Sequence, residues 1–208
     1  MRPPLLEVLN LSCARGDRTL FRELSFRLQP GELLHVTGRN GSGKTTLLRT
    51  LCGLTRPLEG EARWGGANVR ALSDDYRTQF AYVGHLNGIQ GDLTPAENLR
   101  ASAELVANVD DARILAALER VTLDTHQDFP AKILSQGQKR RLALARLLVQ
   151  DKTLWVLDEP LAALDARSVE LVSDILREHL ARSGMVVLTS HQELDIDMRA
   201  RRTLSLDA

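Results

Sequence analysis

Gly38-Arg39-Asn40-Gly41-Ser42-Gly43-Lys44-Thr45 fits the pattern G-x-x-x-x-G-K-[ST] at every fixed position. Its flanks are as informative as the motif. Leu33-Leu34-His35-Val36-Thr37 before it reads as a buried strand, and Thr46-Leu47-Leu48-Arg49-Thr50-Leu51-Cys52 after it as a helix closed by Gly53. A strand, a glycine-rich loop and a helix in that order make a cradle for phosphate. Glycines at 38, 41 and 43 let successive N–H groups turn inward, and the helix N-terminus adds the positive end of its dipole. Lys44 is then expected to reach the β- and γ-phosphates of a nucleotide, with the Thr45 hydroxyl on Mg²⁺. The competing reading, a glycine-rich turn with a chance lysine, explains neither flank.

The chain has 208 residues, 43% of them hydrophobic, which suits one domain of ordinary size or slightly more with a sizeable core. Lys+Arg and Asp+Glu balance at 27 each, so no global field draws the chain to nucleic acid or to an acidic membrane surface. Partners must be recognised by local patches, and no nucleic-acid partner is expected. Cys13 and Cys52 lie in no metal-like or C-x-x-C spacing and read as packed thiols. No apolar run approaches the ~20 residues needed to cross a bilayer, and Met1-Arg2-Pro3-Pro4 leads straight into folded-looking sequence. The chain is therefore expected in the cytosol, with any membrane role depending on other subunits.

Period-two alternation over Glu7–Leu11 and over Leu24–Leu28, with a Pro30-Gly31 turn before the central strand, predicts an antiparallel β element beside the nucleotide core. Residues 60–66 read as a strand ending in a tight Gly65-Gly66 turn, and Phe80–Val83 as a strand that delivers His85 to its end. The period then changes. Thr94-Pro95-Ala96-Glu97 is a capping box with proline at the first helical position, opening a helix through about Val106. A second helix is expected from Asp111, with Ile114, Leu115, Leu118 and Val121 on one face and the intervening charges solvated.

Ser135, with Gln138 three residues on, is a capping box for a helix over 138–150, while Leu134-Ser135-Gln136-Gly137-Gln138 also invites a functional reading. Both can hold. The sequel favours the second: Thr153–Leu157 reads as a buried parallel strand that ends in Asp158-Glu159-Pro160. At that position Asp158 is suited to hold Mg²⁺, through water, and Glu159 to polarise the water that attacks a γ-phosphate. A helix is expected from Leu161 to near Gly184. After it, the buried strand Met185–Ser190 brings His191 to the same sheet edge, which points to a γ-phosphate sensor over an ordinary core or surface histidine.

In this order and spacing the residues resemble the nucleotide-binding subunit of ATP-binding-cassette (ABC) transporters over nearly the whole chain. The resemblance rests on the phosphate loop at 38–45, the signature at 134–138, Asp158-Glu159, the turn ending in Asp165, and His191. It implies an α/β fold: a P-loop NTPase core with a parallel sheet, an antiparallel β element and a helical subdomain. Residues 1–208 would form one such domain, approximately 1–85 and 150–208 as catalytic core and 86–149 as the helical subdomain carrying the signature. ATP and Mg²⁺ would be the cofactors. Gly38, Arg39, Asn40, Gly41, Ser42, Gly43, Lys44, Thr45 and Thr46 would hold the nucleotide. Lys44, Glu159 and His191 would be catalytic, and Thr45 and Asp158 would hold the metal. Ser135, Gly137 and Gln138 would face the γ-phosphate of a second copy in a head-to-tail dimer closed by ATP and reopened by hydrolysis.

Three finer features resemble the haem-exporter ATPases of c-type cytochrome maturation. They are Gly84-His85-Leu86-Asn87-Gly88 followed by Leu93–Leu99, the tryptophan of Leu154-Trp155-Val156-Leu157-Asp158-Glu159-Pro160, and the close of the chain at Ala208 soon after His191. That likeness implies membrane-spanning transporter subunits and a haem-handling membrane protein as partners, with the chain peripheral on the cytoplasmic face of a bacterial inner membrane. The chain itself shows no C-x-x-C-H, and its five histidines make no axial-ligand set, so direct haem binding is not expected. Two positions depart from the general cassette. No aromatic stands near Ala14-Arg15 to stack on adenine, where Arg15 offers a guanidinium or a solvated loop cation. His85 stands where a glutamine is usual, and a contact to Mg²⁺ through water suits an imidazole better than a direct bond. Rival readings are another ABC exporter, a soluble non-transport ABC ATPase, and a module that binds ATP without turnover.

Overall fold

The computed structural model describes residues 4–104, 109–192, 194–197 and 199–207. Two sheets carry the architecture. In chain order the strands are β1 (Leu6–Arg15), β2 (Arg18–Leu28), β3 (Leu33–Thr37), β4 (Glu59–Trp64), β5 (Ala67–Asn68), β6 (Phe80–Val83), β7 (Leu154–Asp158), β8 (Met185–Thr189) and β9 (Arg201–Ser205). The helices are α1 (Lys44–Leu51), α2 (Val69–Arg77), α3 (Pro95–Glu104), α4 (Asp111–Arg120), α5 (Gln136–Val149) and α6 (Ala166–Ala181). One sheet is antiparallel in the order β2-β1-β4-β5; the other is parallel throughout in the order β6-β7-β8-β3-β9.

The parallel sheet is covered on both faces, and the alternation along its strands decides which residue meets which layer. Leu34, Val36, Leu154, Val156, Met185 and Val187 pack with α1 and the antiparallel sheet. Leu33, Trp155, Leu157, Val186 and Leu188 face the other way, into a core shared with α3, α4, α5 and α6. Two-sided burial explains why β7 and β8 are uninterrupted runs with every residue buried. Because all neighbours run parallel, the C-terminal ends of β3, β6, β7 and β8 come to one edge.

The capping box at Thr94 forms as expected, Glu97 N–H to Thr94 Oγ1 and Thr94 N–H to Glu97 Oε2. The box at Ser135 forms too, and α5 begins at Gln136, two residues before the expected start. In α4 the buried face is Ile114, Ala117 and Leu118, continued by Val121, whereas Leu115 is 48% exposed. One step along a helix turns a side chain by about 100°, so Leu115 clears the layer that Ile114 enters. The charges of α4 are not simply solvated: Arg113 pairs with Asp151 at 2.7 Å and donates to the Leu148 carbonyl, and Arg120 pairs with Glu178 at 2.7 Å. They fasten α4 to α5 and α6. The end expected for α3, Val106, lies outside the described residues.

Three elements carry no strong sequence pattern: α2, the two-residue β5, and β9. The α2 segment carries four charges among its nine residues and anchors through Val69 and Tyr76, whose hydroxyl donates to the Leu51 carbonyl. The helix expected from Leu161 begins instead at Ala166, because residues 161–164 form a turn with Ala163 at φ 63° and Asp165 caps α6 through the Ser168 N–H. Among the described residues no helix is long and apolar enough to cross a membrane.

His179 of α6 lies flat on Trp155 of β7, ring centroids 3.7 Å apart and planes within 6°. A Cβ at Gly184 would meet its Nε2 at 2.3 Å, so glycine there leaves room for the ring. Burial holds this imidazole neutral, its pKa lowered to about 4. Unfolded, it titrates near the ordinary ~6.5. Above that pH both states are neutral. Between about 6.5 and 4 only the unfolded chain takes up the proton, so acidification through this window removes up to about 3 kcal/mol of stability. Denaturant unfolding across the window should show wild type losing more stability than His179→Phe, which keeps the flat stack without titrating. Equal losses would exclude the imidazole as the cause.

Candidate nucleotide-binding site

The phosphate loop joins β3 to α1 in the geometry its glycines permit: φ is 143° at Gly38, 83° at Gly41 and 105° at Gly43. A Cβ at Gly38 would meet Ser42 Oγ at 2.6 Å, and one at Gly43 would meet Leu20 Cβ at 3.0 Å. Gly43 occupies the N-cap position of α1 and supplies no side-chain cap, so the first N–H groups of the helix remain for a ligand. Lys44 Nζ donates to the Gly38 carbonyl at 2.6 Å and the Arg39 carbonyl at 3.2 Å. It is therefore held across the loop that it serves.

The opposite wall is the end of β7. Asp158 is buried, and each of its carboxylate oxygens accepts one hydroxyl: Thr45 Oγ1 at 2.7 Å and Thr189 Oγ1 at 2.9 Å. Thr189 in turn accepts the Glu159 N–H at 2.8 Å. Glu159 sits at φ 51°, an uncommon conformation for a residue with a Cβ. Its Oε1 is buried with no hydrogen-bond partner among the described residues, 3.4 Å from His191 Nε2. The hydroxyl and carboxylate of Thr45 and Asp158 are hard oxygen donors facing each other, a set that suits Mg²⁺.

A cavity of about 580 Å³ opens between these walls. Asn40, Gly41, Gly43, Lys44, Thr45 and Thr46 line one side, with His85, Asp158, Glu159 and His191 on the other. Gly38 and Ser42 pack behind the loop, and the Arg39 N–H is taken by Asp207 Oδ1 at 2.7 Å. His85, exposed at the end of β6, shares the cavity with the β7 carboxylates. Arg15 lines it as well, together with Arg18 and Leu20 from the β1–β2 hairpin, so two guanidiniums stand on the wall where an aromatic is usual in the cassettes this chain resembles.

Ser135, Gly137 and Gln138 do not line this cavity. Ser135 caps α5, the Gln138 amide meets His126 at 3.1 Å, and a Cβ at Gly137 would come within 3.0 Å of the Ala163 carbonyl. The chain therefore keeps its signature residues apart from its own phosphate loop.

Arg140, Thr189 and Asp207 escape a sequence reading. Arg140 in a charged helix looks like a surface residue, yet it is 3% exposed. Its guanidinium donates to the carbonyls of Asp158, Glu159, Pro160 and Gly84, and to Asn87 Oδ1, at 2.7 to 3.1 Å. Burial lowers its pKa, while the carboxylates of Asp158 and Glu159 oppose that shift. One side chain of the signature helix thus ties the ends of β6 and β7 together.

A parallel sheet with a glycine-rich strand–loop–helix, a lysine across the loop and a pair of carboxylates at the end of another strand of the same sheet defines a P-loop nucleotide-binding protein. The comparisons agree. The family model described as "ABC transporter" matches residues 21–162. The "Cytochrome c biogenesis ATP-binding export protein CcmA" of Nitrosospira multiformis is 50% identical, over 98% of this chain and 99% of its own. The protein of the same name from Nitrosomonas europaea is 52% identical over 91% of this chain and 90% of its own. A solved structure titled as a putative ABC transporter ATP-binding protein from Pyrococcus furiosus superposes with a TM-score of 0.84, at 28% identity, covering 96% of this chain and 97% of that one. The chain belongs to the ABC transporter family, as an ATP-binding subunit.

Arg140→Met keeps the stem and strands the buried carbonyls, so it should cost about 3 kcal/mol of stability and slow ATP turnover at least about tenfold. Arg140→Lys should recover only part of either, since an ammonium cannot span all five acceptors. Thermal unfolding and steady-state ATPase assays check this; a methionine variant equal to wild type in both would show that the network is dispensable.

Proposed function

We propose that the chain is the ATP-hydrolysing subunit of a membrane ABC complex, acting in c-type cytochrome biogenesis as the motor of haem export. The observation that carries the catalytic half is Glu159 Oε1, buried without a hydrogen-bond partner among the described residues, beside His191 and one residue after Asp158. A carboxylate oxygen without a donor is free to accept a proton from water. In this reading the amides of Gly43, Lys44, Thr45 and Thr46, at the end of the phosphate loop and the start of α1, bind the ATP phosphates, and Lys44 exchanges its loop carbonyls for β- and γ-oxygens. Glu159 orients the attacking water and His191 contacts the γ-phosphate. The water oxygen bonds to phosphorus as the bond to ADP breaks. Thr45 and Asp158 would hold Mg²⁺, with His85 reaching it through water; when bound, the ion offsets phosphate charge.

The biological half is supported by the names of the relatives, which are cytochrome c biogenesis export proteins over nearly the full chain. Separation of Ser135, Gly137 and Gln138 from the chain's own cavity favours a head-to-tail pair, in which one copy's signature closes the other's site. Residues 86–149 would act as the helical subdomain that passes the motion on. The partners would be membrane-spanning subunits and a haem-handling membrane protein, with the chain peripheral on the cytoplasmic face of the inner membrane. Haem would be carried by those partners and not by this chain.

Glu159→Gln should keep ATP affinity while lowering turnover about 10²- to 10⁴-fold, equivalent to about 3 to 5 kcal/mol in the barrier. It should also trap an ATP-bound dimer in size-exclusion chromatography. Turnover near wild type would remove Glu159 from the base role. For the cargo, purification of the assembled membrane complex should bring haem with the partners, whereas haem titrated into the isolated chain should give no stoichiometric Soret shift. A sharp shift lost on mutating one histidine would instead make the chain itself a haem carrier.

A further inference from the structure

His35 lies in the middle of β3, three residues before the phosphate loop, at a position where the strand's partition would otherwise place an apolar side chain. It is buried, 5% exposed, and both ring nitrogens are bonded. Nε2 lies 3.0 Å from the Ser190 carbonyl oxygen, and Nδ1 lies 2.9 Å from Arg201 Nη2. These partners leave one assignment. A guanidinium can only donate, so Nδ1 must accept; a carbonyl can only accept, so Nε2 must carry the hydrogen. The ring is therefore neutral, and burial lowers its pKa in the same direction. A second proton would place an N–H against the guanidinium.

The carbonyl that His35 holds belongs to the residue before His191. β8 ends at Thr189, and the chain leaves the sheet in a short turn in which Ser190 Oγ donates to the Gln192 carbonyl and accepts the Gln192 N–H. The Ser190 side chain closes that turn on itself, and the His35 ring is what ties it back to the sheet. Arg201 comes from β9, which pairs with β3 on the side away from β8. Its Nη1 also reaches the Leu194 carbonyl at 3.4 Å, just past the same turn. We propose that His35 and Arg201 are positioning residues for His191. The guanidinium fixes the tautomer of His35, and the Nε2–H of His35 anchors the peptide from which the His191 side chain reaches the γ-phosphate position beside Glu159. This inference rests on the role proposed above for His191, and it adds two residues that lie outside the phosphate loop, the β7 carboxylates and the signature.

The test is a double-mutant cycle on the full-length chain, read as steady-state ATP hydrolysis with kcat and KM resolved. His35→Leu removes the donor and the acceptor at similar volume, and His35→Gln restores one of each. With His191 intact, His35→Leu should lower kcat about tenfold and leave KM for ATP within about twofold, while His35→Gln recovers at least about half the rate. In a His191→Ala background, itself strongly impaired, His35→Leu should change kcat less than about twofold, because the group it positions is gone. Arg201→Met should repeat this pattern, and it carries the cycle if His35→Leu fails to fold. Equal losses in both backgrounds, or no loss with His191 intact, would overturn the positioning role while leaving His191 its own. Full turnover in His191→Ala alone would remove the sensor role and the inference with it.

Discussion

The joint on which the site depends is the Asp158 carboxylate, which accepts Thr45 on one oxygen and Thr189 on the other. These hydroxyls come from the first turn of α1 and from β8, so one side chain registers the phosphate loop, the end of β7 and the neighbouring strand. Both oxygens are satisfied, which is what allows a carboxylate to stay buried beside an apolar sheet. Glu159, one residue on, is the opposite case: its backbone N–H is held by Thr189 while its Oε1 has no hydrogen-bond partner among the described residues. In the mechanism proposed for Glu159, a satisfied carboxylate next to an unsatisfied one would separate anchoring from chemistry within two residues.

Around that joint the protein uses arginines as crosslinks over distances that main-chain bonding does not span. Arg140 binds carbonyls at the ends of β6 and β7 from the signature helix, and Arg146, six residues on, donates to the carbonyls of Asn87 and Gly88. Movement of α5 is thereby linked to both the His85 segment and the strand end that bears Glu159. Arg201 does the same from the far edge of the sheet through His35. A planar guanidinium with five donors suits this work because it can satisfy several carbonyls at once in a fixed geometry.

Much of this was legible in the chain alone. The loop at 38–45 carries its own geometry, because only glycine takes the φ values found at 38, 41 and 43 without strain. The apolar runs of β7 and β8 announce two-sided burial, and residues at the strand ends are bound to meet at one sheet edge once the strands are parallel. Capping boxes at Thr94 and Ser135 are also local, involving partners three residues apart. By contrast α2 and β9 were not visible: a short helix with few apolar residues and an edge strand reading Arg-Arg-Thr-Leu-Ser hold their places through partners far away in sequence.

Sequence by itself thus determined the phosphate cradle, the carboxylate pair and the histidine that follows β8, since each is set by a strand end and the residues immediately beyond it. Only the tertiary structure decided that Arg140 is buried, that Thr189 divides its hydroxyl between Asp158 and Glu159, that Arg39 gives its amide to Asp207, and that the signature lies apart from the loop. The physical reason is the same in each case. A hydrogen bond between groups 18 to 168 positions apart leaves no periodicity in the chain, because its geometry exists only after the sheet has brought the two segments together.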